Sequence, residues 1–347
     1  METEKLLKIL TDLCALPPDG KGALEILSAY ATERDSLCVD ALGSVIWSRG
    51  AAKNSPNGHS GYLIEAHIDT IAMIVTAVLP GGFLRVQPVG GVDRRPLPAA
   101  SVNVWGKNKS ADNKPCCSGI IVSTPPHLKE KDAPQVPDWM DILVDVNDCV
   151  NDISPGDLIS LHAPPITLLN NTVTAAGLDN RAGCAALLQA LLLTQDCPQP
   201  VTAVFAVQEE TNGAGAATAA YAANESRAIV VDVSFAQAPE VNSEMGGKLG
   251  GGTMLGVCPV LDSALTEKLQ TTACREEIPL QFEVMGAKSG TDADKIQAVR
   301  RGIPTALLSI PLRNMHTAAE IVSLIDIHNT AKLISLMIRD AGDNNNA

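Results

Sequence analysis

Val201-Thr202-Ala203-Val204-Phe205-Ala206-Val207 runs directly into Gln208-Glu209-Glu210-Thr211-Asn212-Gly213-Ala214-Gly215. The first seven residues form a β-prone run with no polar face, which suits a strand at the centre of a sheet covered by helices on both sides. Glu209 and Glu210 follow at once. Two adjacent carboxylates at the end of a buried strand are costly, because crowding and burial both oppose ionisation unless a cation or a proton offsets the charge. The glycines after them free the backbone to turn sharply and to approach a ligand closely.

Outward from this stretch, strands and helices alternate. Helices are expected over 178–193, 214–223, 264–274, 293–301 and 327–339, and strands over 201–207, 228–233, 280–284 and 305–310. Upstream, helices over 1–16 and 23–32 precede strands at 44–48 and 62–66, the latter delivering His67 and Asp69. Between residues 73 and 165 the texture changes to short β-prone pieces broken by Gly, Pro and Asn. The expected fold is therefore α/β, with a mostly parallel central sheet flanked by helices. Residues 1–72 and 166–347 make up the α/β domain, and 73–165 an inserted small β-barrel or sandwich.

The chain has 347 residues and a formal charge of −13, so nucleic acid and anionic membrane are poor partners for its surface. No apolar run is long enough for a membrane helix, and the N-terminal segment has no signal-peptide core, which leads us to expect a cytoplasmic protein. Nine scattered cysteines read as reduced thiols without a catalytic role.

Metal-competent side chains gather where strands end: His67, Glu209, Glu210, Asp232 and His316, at the edge on which open α/β sheets hold ligands. Asp179, at the start of the 178–193 helix, is placed to bridge cations held by the others. Nitrogen and oxygen ligands of this kind suit two divalent ions, zinc, cobalt or manganese rather than calcium. Of the adjacent Glu209 and Glu210, one can ligate while its neighbour faces the activated water as a proton acceptor. Asp69 is placed to accept the ring proton of His67 and so fix its tautomer.

Each residue also has a plainer reading. A histidine after a strand is often only packed or hydrogen-bonded, Asp179 alone would be a helix N-cap, and Glu209-Glu210 alone could be a solvated loop. The combination favours chemistry over these separate alternatives. His59, His127, His162 and His328 keep the structural reading, as surface or interface residues.

The segments Glu65-Ala66-His67-Ile68-Asp69-Thr70-Ile71, Gly177-Leu178-Asp179-Asn180-Arg181-Ala182-Gly183, Gln208-Glu209-Glu210, Val231-Asp232-Val233, Gly290-Thr291-Asp292-Ala293 and Met315-His316-Thr317, in this order, resemble the glutamyl and tetrahedral (TET) aminopeptidases, with similarity over nearly the whole chain. That resemblance implies a dimetal exopeptidase acting on peptides. It implies that His67, Asp179 and Asp232 hold one metal, that Asp179, Glu210 and His316 hold the other, and that Glu209 is the general base. It further implies that the inserted segment serves dimerisation, and that dimers build a homo-oligomer of twelve subunits. Thr291 and Asp292 have two readings beside it, contact with the substrate's ammonium or support of the ligands from behind. The chain departs from the family's glycines at Ala72, Asn212 and Asp294, which touches specificity more than mechanism. A related dimetal amidohydrolase or deacetylase would share the ligands. Some relatives carry a cellulase label, but sugar hydrolysis needs a flanking acid and base and no metal.

Overall fold

The computed structural model describes residues 2–50, 61–106, 114–128, 136–239, 241 and 246–341. His59, its turn-rich surroundings and the polar C-terminal tail lie outside them. Val201–Ala206, fully buried, sits within an 11-stranded sheet between Val45–Arg49 and Tyr62–His67. Four strands form the parallel centre, in the order Val201–Ala206, Tyr62–His67, Ala228–Phe235 and Thr305–Arg313. Toward both edges the sheet turns antiparallel: Asp35–Val39 and Val45–Arg49 on one side, Glu320–Ser323, Thr172–Ala175 and Ile166–Thr167 on the other. Thr253–Val257 joins Thr305–Arg313 antiparallel and carries Leu280–Val284 parallel beside it.

A mostly parallel sheet is thus found only at the centre, and the sheet as a whole is mixed. The physical reason is local connection. Asp35–Val39 and Val45–Arg49 are joined by a tight turn in which the Asp40 carboxylate accepts the N–H groups of Leu42, Gly43 and Ser44, and so short a link permits only antiparallel pairing.

Alternate side chains of the central strands face opposite ways. Ile64, Ala203, Phe205, Val231 and Leu308 join the larger core, beneath the helices Glu2–Cys14, Leu178–Leu193 and Leu324–Arg339. Leu63, Val204, Val230 and Leu307 join the smaller one with Ala214–Ala222 and Ala293–Ile296. Glu65, His67 and Asp232 share this second parity. Among the described residues no helix is long and apolar enough to cross a membrane. All nine cysteines are free.

From Tyr62–His67 the chain passes into a closed six-stranded barrel of Ala72–Leu79, Phe83–Val89, Leu143–Asp145, Cys117–Ile121, Ser101–Trp105 and Leu158–Leu161. Val75, Leu84, Val86, Val102, Val104 and Ile159 fill it. Sheet strands resume at Ile166–Thr167.

Two helices are shorter than their periodicity predicts. The 23–32 helix stops at Ser28, and Thr32 instead gives its N–H and hydroxyl to Asp35. The 293–301 helix ends at Ile296, before Arg300 takes a left-handed φ of 58°.

Under the sheet edge lies an ion pair that fixes the first hairpin. Arg49 Nε is 2.7 Å from Asp35 Oδ1, both side chains are fully buried, and Trp47 Nε1 donates to the same oxygen at 2.8 Å. Burial opposes the Asp35 charge, yet Arg49, Thr32 and Trp47 outweigh it and hold the carboxyl down to about 2. Its contribution is present above the ordinary carboxylate range and is lost as pH falls toward 2. Asp35→Asn leaves a buried guanidinium without its counter-charge and is expected to lower stability by about 3–5 kcal/mol in urea unfolding at neutral pH. A change within 0.5 kcal/mol would show the pair to be inessential.

Candidate metal centre and active site

His67 ends the central strand Tyr62–His67, and its Nδ1 lies 3.0 Å from the Asp69 backbone oxygen. A carbonyl oxygen can only accept, so Nδ1 carries a proton, and in the neutral ring Nε2 then carries the lone pair. Nε2 looks toward Asp179 Oδ1 at 3.3 Å, Asp232 Oδ1 at 3.6 Å and Glu209 Oε2 at 3.8 Å. His316 repeats the arrangement. Its Nδ1 meets the Gly91 carbonyl at 3.0 Å, and Nε2 faces Asp179 Oδ2 at 3.2 Å and Glu210 Oε1 at 3.7 Å.

Asp179 therefore stands between two imidazoles, one oxygen to each. The ligand atoms of His67, Asp179 and Asp232 all lie within 4.8 Å of one another, and so do those of Asp179, Glu210 and His316. Carboxylates gathered at these distances around the two Nε2 atoms repel one another unless a proton or a cation sits among them. Burial pushes Glu209 up to about 8 and Glu210 to about 7, with neighbouring carboxylates adding to both. Contact with Asp179 raises His316 to about 9. Burial works against the Asp179 charge, but both imidazoles hold it down to about 2. Glu210 Oε1 is buried without a hydrogen-bond donor, an acceptor left for a cation. This donor set fits two divalent ions.

The turn after Val201–Ala206 aims the glutamates. Gln208 adopts a left-handed φ of 69°, and its carbonyl accepts the N–H groups of Asn212 and Gly213. The backbone N–H groups of Glu209 and Glu210 donate to the two oxygens of Asp69, at 3.2 and 3.3 Å. The Asp69 carboxylate thus anchors the turn. It lies 3.6 Å from His67 Nδ1, while the Asp69 backbone oxygen is the nearer partner of that ring. Gly213 supplies a left-handed φ of 70°, whereas Gly215 lets the following helix press on Val207, whose carbonyl oxygen would stand 2.1 Å from an added Cβ. Asn212 is not left-handed; its Oδ1 accepts from Ala214 N–H. Asp294 braces the wall loop by accepting from Ser289 and Gly290.

Three supports complete the site, and of their residues the sequence singled out only Asp292. Glu320, fully buried, accepts the backbone N–H of Asp179 at 3.2 Å and of His316 at 2.8 Å, so one carboxyl grips both residues that meet between the sites. Burial, then Asp179, pushes it up to about 8. Glu65 and Asp292 are buried against each other beneath His67, and no N–H or O–H donor reaches either oxygen of Glu65. Burial raises Glu65 well above the carboxylate range, and the neighbouring Asp292 carboxylate adds to the rise. Gly91 comes from the barrel, where a Cβ would stand 2.9 Å from His316 Nδ1. The only signal for it is the pair Gly90-Gly91 after a strand, a mark of close backbone approach.

A cavity of about 430 Å³ opens over these residues. Thr291 lines it; Asp292, 2% exposed, does not. His162 and His328 lie away from it, paired with Asn103 and Gln189, and His127 is in an exposed barrel loop.

Two groups of candidate ligands lie at the carboxyl edge of a mixed sheet with a barrel pressed against them, and comparison with known proteins gives the class, a peptide hydrolase. The sequence pattern of the M42 glutamyl aminopeptidases matches residues 43–333, and the chain belongs to that family. A lysyl aminopeptidase of Pyrococcus furiosus is 31% identical over 296 residues, 83% of this chain and 82% of its own. Among solved structures, an aminopeptidase from the archaeon Desulfurococcus kamchatkensis superposes with a TM-score of 0.87 at 26% identity, covering 100% of this chain and 99% of its own. The TET1 peptidase of Pyrococcus horikoshii, described as assembling into a tetrahedron or a large octahedral shell, gives 0.81 at 27% identity, covering 96% and 99%.

Proposed function

We propose that this chain is a metal-dependent aminopeptidase that releases N-terminal residues from peptides. The observation that carries the reading is Asp179, whose two oxygens stand 3.3 and 3.2 Å from Nε2 of His67 and of His316. His67, Asp179 and Asp232 would hold one divalent ion and Asp179, Glu210 and His316 a second, with zinc, cobalt or manganese suited to such ligands. When bound, the ions supply Lewis acidity, polarising the scissile carbonyl and lowering the pKa of a water toward neutrality. Glu209, whose carboxylate borders the His67 trio without belonging to it, takes a proton from that water and returns it to the leaving nitrogen. Asp69 positions Glu209 and Glu210 through their amides. Glu320 and the Glu65–Asp292 pair hold the ligands from behind, and Thr291 borders the substrate.

Metal-loaded protein is expected to hydrolyse aminoacyl substrates bearing a free amine and to lose that activity to a chelator. Hydrolysis of N-acetylated substrates alone would point to a deacetylase instead.

In the same reading, residues 1–72 and 166–347 form the catalytic domain and 73–165 an inserted dimerisation domain, from which dimers build a dodecamer. Support comes from the shells described for the Pyrococcus horikoshii relative. A charge of −13 speaks against nucleic acid or an anionic membrane as partner, and the address in this reading is the cytoplasm. Light scattering should give a mass of twelve chains; a monomer mass removes the assembly and leaves the chemistry standing.

A further inference from the structure

We infer that the cavity selects peptides with a basic N-terminal residue, and that Glu283 is the residue that selects them; this rests on the aminopeptidase reading above. Five carboxylates line the cavity: Asp179, Glu209, Glu210, Asp232 and Glu283. Three belong to the ligand trios and Glu209 is the proposed base, which leaves Glu283 without a part in the chemistry. Among the described lining residues there is no lysine or arginine. An acidic side chain entering here would therefore meet only like charge away from the metals, whereas a cationic one would meet a carboxylate.

Glu283 is also held in place. It lies on the edge strand Leu280–Val284, and its Oε1 accepts the Ser234 hydroxyl while its Oε2 accepts that of Ser309 at 2.7 Å. A carboxylate has about four lone-pair positions, so two hydroxyls fix its orientation and leave acceptor capacity for a ligand. Ser309 is the ladder partner of Asp232, and Ser234 lies two residues beyond Asp232 on the same face of its strand. Two residues of strand span about 7 Å, so Glu283 sits one pleat away from a metal ligand. The flexible four-carbon stem of lysine suits that offset. Phe282, Val284 and Met285 also line the cavity, so a lysine stem entering it meets apolar surface as well as the carboxylate.

The test is the kcat/KM of the metal-loaded protein on Lys, Arg, Leu and Glu aminoacyl substrates, repeated with Glu283→Gln and accompanied by thermal unfolding. We expect Lys and Arg to lead and Glu to be last in the parent protein. In the variant the Lys-to-Leu ratio should fall about 10- to 100-fold, the loss expected for a hydrogen bond to a charged group. Calorimetric titration with free L-lysine and L-leucine should show the same loss of discrimination in binding. A parent protein that prefers Leu or Glu overturns the inference without the variant. So does a parallel fall on Lys and Leu, which would mark Glu283 as merely structural. If no free-amine substrate is turned over, the aminopeptidase reading itself falls; if Leu is cleaved without a basic preference, only the role of Glu283 does.

Discussion

Glu209→Gln is expected to bind its metals and to turn over about 10² to 10⁴ times more slowly than the parent, the usual cost of losing a positioned general base. Glutamine has almost the same shape, and the backbone N–H of residue 209 would still donate to Asp69, so the turn should persist. What is lost is the ability to accept a proton, since an amide is a negligible base. The carboxylate of Glu209 lies outside both ligand trios, which is why elemental analysis should find the metal content unchanged. Full activity in this variant would refute the assignment, and loss of metal would make Glu209 a ligand.

Asp179→Asn should behave oppositely, losing metal before anything else. In the parent each carboxylate oxygen faces one imidazole. The amide keeps one oxygen but replaces the other with an NH₂ group that cannot ligate, and it removes the negative charge shared by both sites. Metal content is expected to fall below one ion per chain. Activity should fall by more than the roughly 10- to 100-fold typical of losing an outer supporting contact. The backbone N–H of residue 179 still reaches Glu320, so circular dichroism should report an intact fold. Two retained ions per chain would remove the bridging role.

The parts of the fold that depend on local pattern were readable from the residues. Val201–Ala206 and Tyr62–His67 are apolar runs broken only by Thr202, Glu65 and the terminal His67, and both lie at the sheet centre. Of the antiparallel flanks only Val45–Arg49 was readable. Thr172–Ala175 and Glu320–Ser323 have four residues each and owe their strand geometry to one another, a partnership between segments far apart in the chain. The site divides along the same line. His67, Glu209, Glu210, Asp232 and His316 could be singled out because each lies toward or just past the end of a strand and has side-chain chemistry of its own. Glu320 and Gly91 act by receiving hydrogen bonds from Asp179 and His316. Nothing in their immediate neighbours announces a role that depends on which backbone folds against them. Glu65 was visible as an acid inside an apolar strand, but its closeness to Asp292 depends on a helix start more than two hundred residues away.

His316 holds a left-handed backbone, φ 64°, which costs a non-glycine residue about 1–2 kcal/mol. The carbonyl that steadies its ring belongs to Gly91, just past a barrel strand. Replacing the barrel by another module, whether to change how copies associate or to shorten the chain, would therefore remove a prop from the imidazole as well. Any graft must reproduce the Gly90-Gly91 corner, and a surgically smaller enzyme would have to find its histidine a new carbonyl.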